Sequence, residues 1–312
     1  MIELPQFGFY IGKSYNKKVV PPSSYNLIFE DTFDRFNINN WQLAPTYADF
    51  QPTNLNQYWQ TNFNDNLVTV NDNLLHLGIK YNPKTYFLKN FTWNKEELKH
   101  IFNTSNDEYM WTIPTECGKI YSIPEFLYGW FEASIMLPTG IGYWPAFWLS
   151  GAHSWGPEID IFEAYSFKGI KYPSTFGIGP FHYNRNWWAI ETNLHYGDST
   201  LTNGPLQMHS TGATCHHIKN TTKRFVQYVC HWTPTYIKIY YDGNLIYKCT
   251  NTNILKWFNI SFNPDGYESR HNGATYNPGM RILLNHGIDG KMQTLPNYDS
   301  SDLIVQYIRV YQ

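Results

Sequence analysis

The stretch "YIKIYYDGNLIYKC", Tyr236 to Cys249, sets two runs of alternating large side chains on either side of Asp242-Gly243. Successive side chains on a strand point to opposite faces, and Asp-Gly accepts the positive φ angles that a two-residue hairpin demands. The stretch therefore reads as a β-hairpin. The same device recurs in "LVTVNDNLLHLGIK", where two runs flank Asn71-Asp72-Asn73. Further short apolar runs follow, among them "YGWFEASIML", "GYWPAFWLS", "RFVQYVCHWT", "MRILLNHG" and "LIVQYIRVYQ". They are separated by turn residues rather than helices. A chain built this way pairs strands with strands, and without a βαβ rhythm its options are an all-β sandwich or barrel.

One helix signal stands apart. In "NKEELKHIF", Asn94 is placed as an N-cap with Glu97 at capping-box spacing. It lies in a polar segment, Tyr81–Thr112, that reads as an excursion from the sandwich. A second excursion is expected over Ile260–Gly279, with turns at Pro264-Asp265-Gly266 and Asn277-Pro278-Gly279. Residues 1–26, including "SYNKKVVPPSSY", read as an extended leader, and 27–312 as a single domain with no linker to split it.

Composition narrows the function classes. Of 312 residues, 42% are hydrophobic, enough for a sizeable core, while charged residues are 15% and the net charge is -2. A strongly basic nucleic-acid surface is not expected from this balance. Aromatic residues reach 18%. They suit strands, and their flat faces also suit sugar rings. No apolar run is long enough to span a membrane. The start of the chain lacks the basic residue cluster and apolar stretch of a signal peptide. Cys117, Cys215, Cys230 and Cys249 form no C-x-x-C pair, so their pairing and the redox compartment stay open. Nothing calls for a partner chain, and a monomer is expected.

The segment "SWGPEIDIFEAY", Ser154 to Tyr165, places Glu158, Asp160 and Glu163 among Ile and Phe. Burying an unpaired charge costs several kcal/mol or forces its pKa upward. On a regular strand Glu158 and Asp160 share one face, and Glu163 points to the other. A single β-bulge after Asp160 shifts the register by one and brings Glu163 round to join them. The apolar residues between them then pack into the core. Retaining glycoside hydrolysis needs two carboxyl groups about 5–5.5 Å apart, one as nucleophile and one as acid/base. A third acid between them helps hold the outer two in different protonation states. A calcium-binding strand, or a merely polar one, would use the same three acids.

Around these acids the chain resembles glycoside hydrolase family 16. The motif E-x-D-x-x-E is matched by Glu158, Asp160 and Glu163. "FLYGWFEASIMLPTGIGYWPAFWLS" is similar to the family's segment upstream of it, and "TNLHYG" resembles its histidine strand. "LIFEDTFD", "FVQYVCHWTPTYIKIYYDGNLIY" and "YIRVYQ" extend the resemblance from about Leu27 to Gln312. The resemblance implies a β-jelly-roll of two antiparallel sheets with a concave cleft. It also implies an endo-acting enzyme that cleaves a β-linked polysaccharide with retention. Glu158 is then the nucleophile, Glu163 the acid/base and Asp160 the support of the nucleophile. Trp144 and Trp148 offer stacking surfaces near the scissile bond, and His195 lies near the acid/base end.

Many members bind a structural calcium through an Asp in the last strand. Here Gln306 holds that position and Asp302 is out of register, so neither calcium nor any other cofactor is expected. The segment between the acids and His195 is long. Its Arg185, Trp187 and Trp188 are candidates for substrate discrimination, Arg185 by pairing with a sulfate or carboxylate. "GYWPAFWL" leans towards β-1,3-glucan of the laminarin type. "EAYS" and the Arg/Trp segment suit galactans of agar, porphyran, carrageenan or mucin glycans. A transglycosylase and a non-catalytic glycan-binding sandwich are the other readings. A polymeric substrate implies a secreted, periplasmic or cell-surface location.

Overall fold

The computed structural model describes residues 18–43, 61–90, 99, 104–140, 143–151, 157–168, 186–198, 209–215, 221–288 and 301–312. Most of these residues lie in strands, gathered into two large antiparallel sheets. One sheet runs in the order β16 (Asn244–Cys249), β15 (Tyr236–Tyr241), β14 (Val226–Thr233), β9 (Gly129–Met136), β18 (Leu303–Tyr311), β5 (Leu74–Leu77) and β4 (Val68–Asn71). Strand β1 (Leu27–Asp31) also pairs with β18. The other sheet runs β13 (His209–Cys215), β12 (Asn186–Tyr196), β11 (Glu158–Lys168), β10 (Ala146–Gly151), β17 (Met280–Asn285), β8 (Lys119–Ser122) and β2 (Trp41–Leu43). This is the jelly-roll sandwich expected from the resemblance.

Alternation explains which faces meet. On β15, Ile237, Ile239 and Tyr241 are fully buried while the residues between them are only half-buried. Across the interior, Phe162 of β11 meets Tyr228 of β14 with ring centroids 4.5 Å apart. Each such ring contributes about 2–3 kcal/mol by leaving water. Both hairpins read from the sequence form. Asp72 and Asn73 take φ of 52° and 58°, and Asp242 and Gly243 take 51° and 78°, the all-positive pattern of a tight two-residue hairpin turn.

The first excursion is more ordered than expected. Strands β6 (Ile79–Phe87) and β7 (Met110–Cys117) pair antiparallel, and β3 (Thr61–Phe63) adds parallel to β7, making a small third sheet. Its strands read as polar because one face is solvated, and Pro83 sits where the β6–β7 register slips, since proline cannot donate to a ladder. Buried Glu116 fastens this sheet. It accepts from Asn64 Nδ2 at 2.7 Å and pairs with Lys84. Burial alone would raise its pKa, but hydrogen bonds from Lys84, Asn82 and Asn64 outweigh that and leave it below the usual range. The helix expected near Asn94 lies outside the described residues apart from Lys99.

The second excursion folds as irregular chain around one short helical turn. Strand β16 is followed by α1 (Thr252–Leu255), and α2 (Tyr267–Arg270) sits within the excursion. Arg270 Nε and His271 Nε2 reach buried Asp198, at 2.8 and 3.2 Å. Asp198 lies just beyond the end of β12, so the excursion is tied to the strand that carries His195.

Candidate active site

The acids stand where an irregularity was expected. Asp160 pairs with Trp148 and Asn193, while Glu163 pairs with Ala146 and Glu191. Between those two rows β11 carries one residue more than either neighbour. That is a β-bulge, and it restores Glu163 to the face of Glu158 and Asp160. Ile159, Ile161, Phe162 and Ala164 all turn into the core and are 0% exposed.

A bulge frees backbone carbonyls from the ladder, and buried carbonyls need partners. Thr192 Oγ1 donates to the carbonyl of Asp160 at 2.7 Å. Tyr241 Oη donates to that of Ile161 at 2.7 Å and lies 3.2 Å from that of Glu191. Tyr241 belongs to β15 in the opposite sheet, so a hydroxyl crossing the core helps hold the kink.

The acids have unequal surroundings. Burial chiefly, and then the charge of Glu163, push the Asp160 carboxyl well above the usual range. A hydrogen bond with Glu158 acts the other way and is outweighed. The net shift favours the protonated form of Asp160. Glu163 accepts at both oxygens, from Trp144 Nε1 at 3.1 Å and from Asn193 Nδ2 at 2.7 Å.

His195 corrects an expectation. The bulge and register place it opposite Glu158, with Nε2 3.1 Å from Asp160 Oδ2 and 3.6 Å from Glu158 Oε1. It stands at the Glu158 end of the row, not the Glu163 end. Trp144 is 8% exposed and serves Glu163 through its indole N–H rather than as an open stacking face. Trp148 is half-buried beside Asp160, donating Nε1 to Asn285 Oδ1 at 2.8 Å. Lys119 Nζ lies 5.2 Å from the centroid of the Trp148 ring. Trp187 and Trp188 fall on β12 opposite Phe167 and Ser166, and Arg185 lies outside the described residues. Asn193 was legible in principle, being two residues before His195 and so on the same face of one strand. Tyr241 and Thr192 gave no signal, because both act from the core side.

Glu158, Asp160 and His195 have donor atoms within 4.8 Å of one another, a spacing that a metal ion could span. Burial that favours the protonated form of Asp160 works against ligation, because a metal takes the carboxylate. On the far sheet, the position where family members hold calcium does not fit that ion. Gln306 occupies a register slip between β18 and β9 and accepts from Ser134 Oγ at 2.9 Å. Gln227, opposite Ser134, clasps the backbone of Val19 through two 3.0 Å hydrogen bonds. The carboxylate in this row, Glu132, already accepts from Trp130 and Gln227 and lies 3.8 Å from the Arg309 guanidinium. Calcium asks for six to eight oxygen ligands without a competing cation.

A jelly-roll whose inner sheet presents two carboxyl groups flanking a third belongs structurally with the carbohydrate-active sandwiches. The family model for glycosyl hydrolases family 16 matches residues 56–265, more than half of the chain, and the chain belongs to that family. A curated relative, glucan endo-1,3-beta-glucosidase A1 of Niallia circulans, is 24% identical over 298 residues. These cover 83% of this chain but only 38% of that protein. One similar solved structure comes from work on endo-acting O-glycanases that human gut bacteria express to initiate mucin breakdown. It has a TM-score of 0.62 at 20% identity, covering 93% of this chain and 92% of that one. Another is the catalytic domain of an endo-1,3-beta-glucanase (laminarinase) from Thermotoga petrophila, with a TM-score of 0.59 at 19% identity, covering 94% and 99%. At these identities the likeness to solved structures establishes the fold.

Proposed function

We propose that the protein is an endo-acting retaining β-glycosidase in which Glu158 is the nucleophile, Glu163 the acid/base and Asp160 the holder of the proton between them. The observation that carries this reading is the bulge that brings Glu163 onto the face of the other two acids. Glu163 gives its proton to the departing glycosidic oxygen while Glu158 attacks the anomeric carbon. The glycosyl ester so formed is then hydrolysed by water that Glu163 deprotonates. The Asp160 proton, donated to Glu158, keeps the nucleophile from acquiring one of its own. His195 steadies that end of the row, and Trp148 offers a face to a sugar ring. The chain does this without calcium or another cofactor, and it acts outside the cytoplasm, where polysaccharides are met.

A β-1,3-glucan is the preferred substrate, supported by the glucanase named for the curated relative. The second reading is an endo-acting enzyme on galactan or mucin-type glycans. It is favoured by the O-glycanase work behind one structural neighbour and by the long β11–β12 hairpin. A panel of laminarin, mixed-linkage glucan, agarose, porphyran, carrageenan and mucin, read by mass spectrometry, separates them. Short oligosaccharides from laminarin are expected, and products from galactans or mucin alone overturn the glucan assignment. Glu158→Gln is expected to remove turnover while leaving folding intact.

A further inference from the structure

Both oxygens of Glu163 already face an N–H: Trp144 Nε1 at 3.1 Å on Oε1 and Asn193 Nδ2 at 2.7 Å on Oε2. An indole N–H can only donate, whereas a side-chain amide has a donating and an accepting end. The acid/base of a double displacement changes state twice in each turnover. It first loses its proton to the leaving oxygen as the glycosidic C–O bond breaks with its electron pair. It then takes a proton from the water whose oxygen displaces Glu158 from the anomeric carbon. Surroundings fixed for one state penalise the other.

We propose that Asn193 is a positioning residue that follows this proton. Its Nδ2 end holds the Glu163 carboxylate, and half a turn of the amide presents Oδ1 to accept from the Glu163 acid. The inference rests on the reading of Glu163 as acid/base. Gly212 of β13 stands opposite Asn193; a Cβ there would meet the Thr192 carbonyl oxygen first, at 1.8 Å, and Asn193 Oδ1 next, at 2.6 Å, so glycine keeps a side chain off the amide. Trp144 stays as a fixed donor. The charged and titratable groups on and beside the strand of Glu163 are Glu158 and Asp160 on its own strand and Glu191 and His195 on β12; Lys119 on β8, two strands beyond β10, lies 5.2 Å from the centroid of the Trp148 ring. Strands β10 and β17 add the uncharged Ala146, Trp148 and Asn285.

The basic limb of the pH profile of kcat/KM reports loss of the acid's proton in the free enzyme. Hydrogen bonds to a charged group are stronger than those to a neutral one. Removing the amide therefore disfavours the carboxylate more than the acid. Asn193→Ala is expected to move the basic limb up by about one pH unit, and Asn193→Asp, which adds a negative charge beside Glu163, by more. The pH profiles use 4-methylumbelliferyl glycosides of β-1,3-linked glucose and galactose disaccharides, whose poorer leaving group draws on the acid's proton, and the azide test uses the 2,4-dinitrophenyl glycosides, with thermal unfolding checked for each variant. A folded Asn193→Ala or Asn193→Asp enzyme whose basic limb stays in place overturns the inference. Glu163→Ala separates the two claims. If Glu163 is the acid/base, that variant loses the basic limb and azide restores its rate, giving a β-glycosyl azide. If the limb survives in Glu163→Ala, the reading of Glu163 itself falls.

Discussion

At the scale of single residues, the site works by giving three similar carboxyl groups dissimilar environments. Asp160 is the most buried of the three acids and the one whose pKa is raised, by burial first and by Glu163 second. The folded state therefore holds a proton that the unfolded chain releases once pH passes the ordinary Asp value. Stability is lost as pH rises from that value towards the folded pKa. Replacing the group by a neutral amide removes that loss. Asp160→Asn is predicted to raise the unfolding free energy at pH 7 by on the order of 1 kcal/mol, while turnover falls by on the order of a hundredfold. Urea unfolding at pH 5 and pH 8 checks it. The stabilisation should be larger at pH 8, and a variant less stable than the native protein at both pH values contradicts the assigned proton.

At the scale of elements, one extra residue on β11 decides which way Glu163 points. The need for a bulge was legible because alternation alone leaves Glu163 opposed to Glu158 and Asp160, and because glycoside hydrolysis needs paired carboxyl groups on one face. What holds the bulge was not legible. Tyr241 lies 80 residues from Ile161 in sequence and bonds its carbonyl across the core, and no periodicity in either segment announces that contact. Tyr241→Phe is predicted to cost about 1–3 kcal/mol, the penalty of a buried carbonyl left without its donor. It should also lower kcat more than it changes KM, because Glu163 shifts while the binding face stays. Chemical denaturation and steady-state kinetics read both effects. Unchanged stability and unchanged kcat would show that the hydroxyl does not hold the kink. The end of the row at which His195 sits was misjudged for a related reason. Its position depends on the register between two strands joined by a long hairpin, and register cannot be counted from one strand alone.

At the scale of the whole molecule, the sandwich was legible from its two hairpin turns and the absence of a βαβ rhythm. The small third sheet was not, since strands with one solvated face look like polar loop. On the far sheet, the row around Gln306 holds amides, a hydroxyl and the already engaged Glu132 carboxylate, and the Val19 backbone is fastened to the same row. An ion bound only by the native state raises its melting temperature by mass action. Excess EDTA or millimolar calcium is therefore predicted to move the melting temperature by less than about 1 °C, and a clear rise with calcium would contradict the assignment. The account as a whole rests on Glu158 forming a bond to sugar while Glu163 does not. The measurement that tests this most directly is trapping with a 2-deoxy-2-fluoro glycoside bearing an activated leaving group, mapped by peptide mass spectrometry. The label should sit on Glu158. A label on Glu163, or first-formed products of inverted configuration, would contradict it.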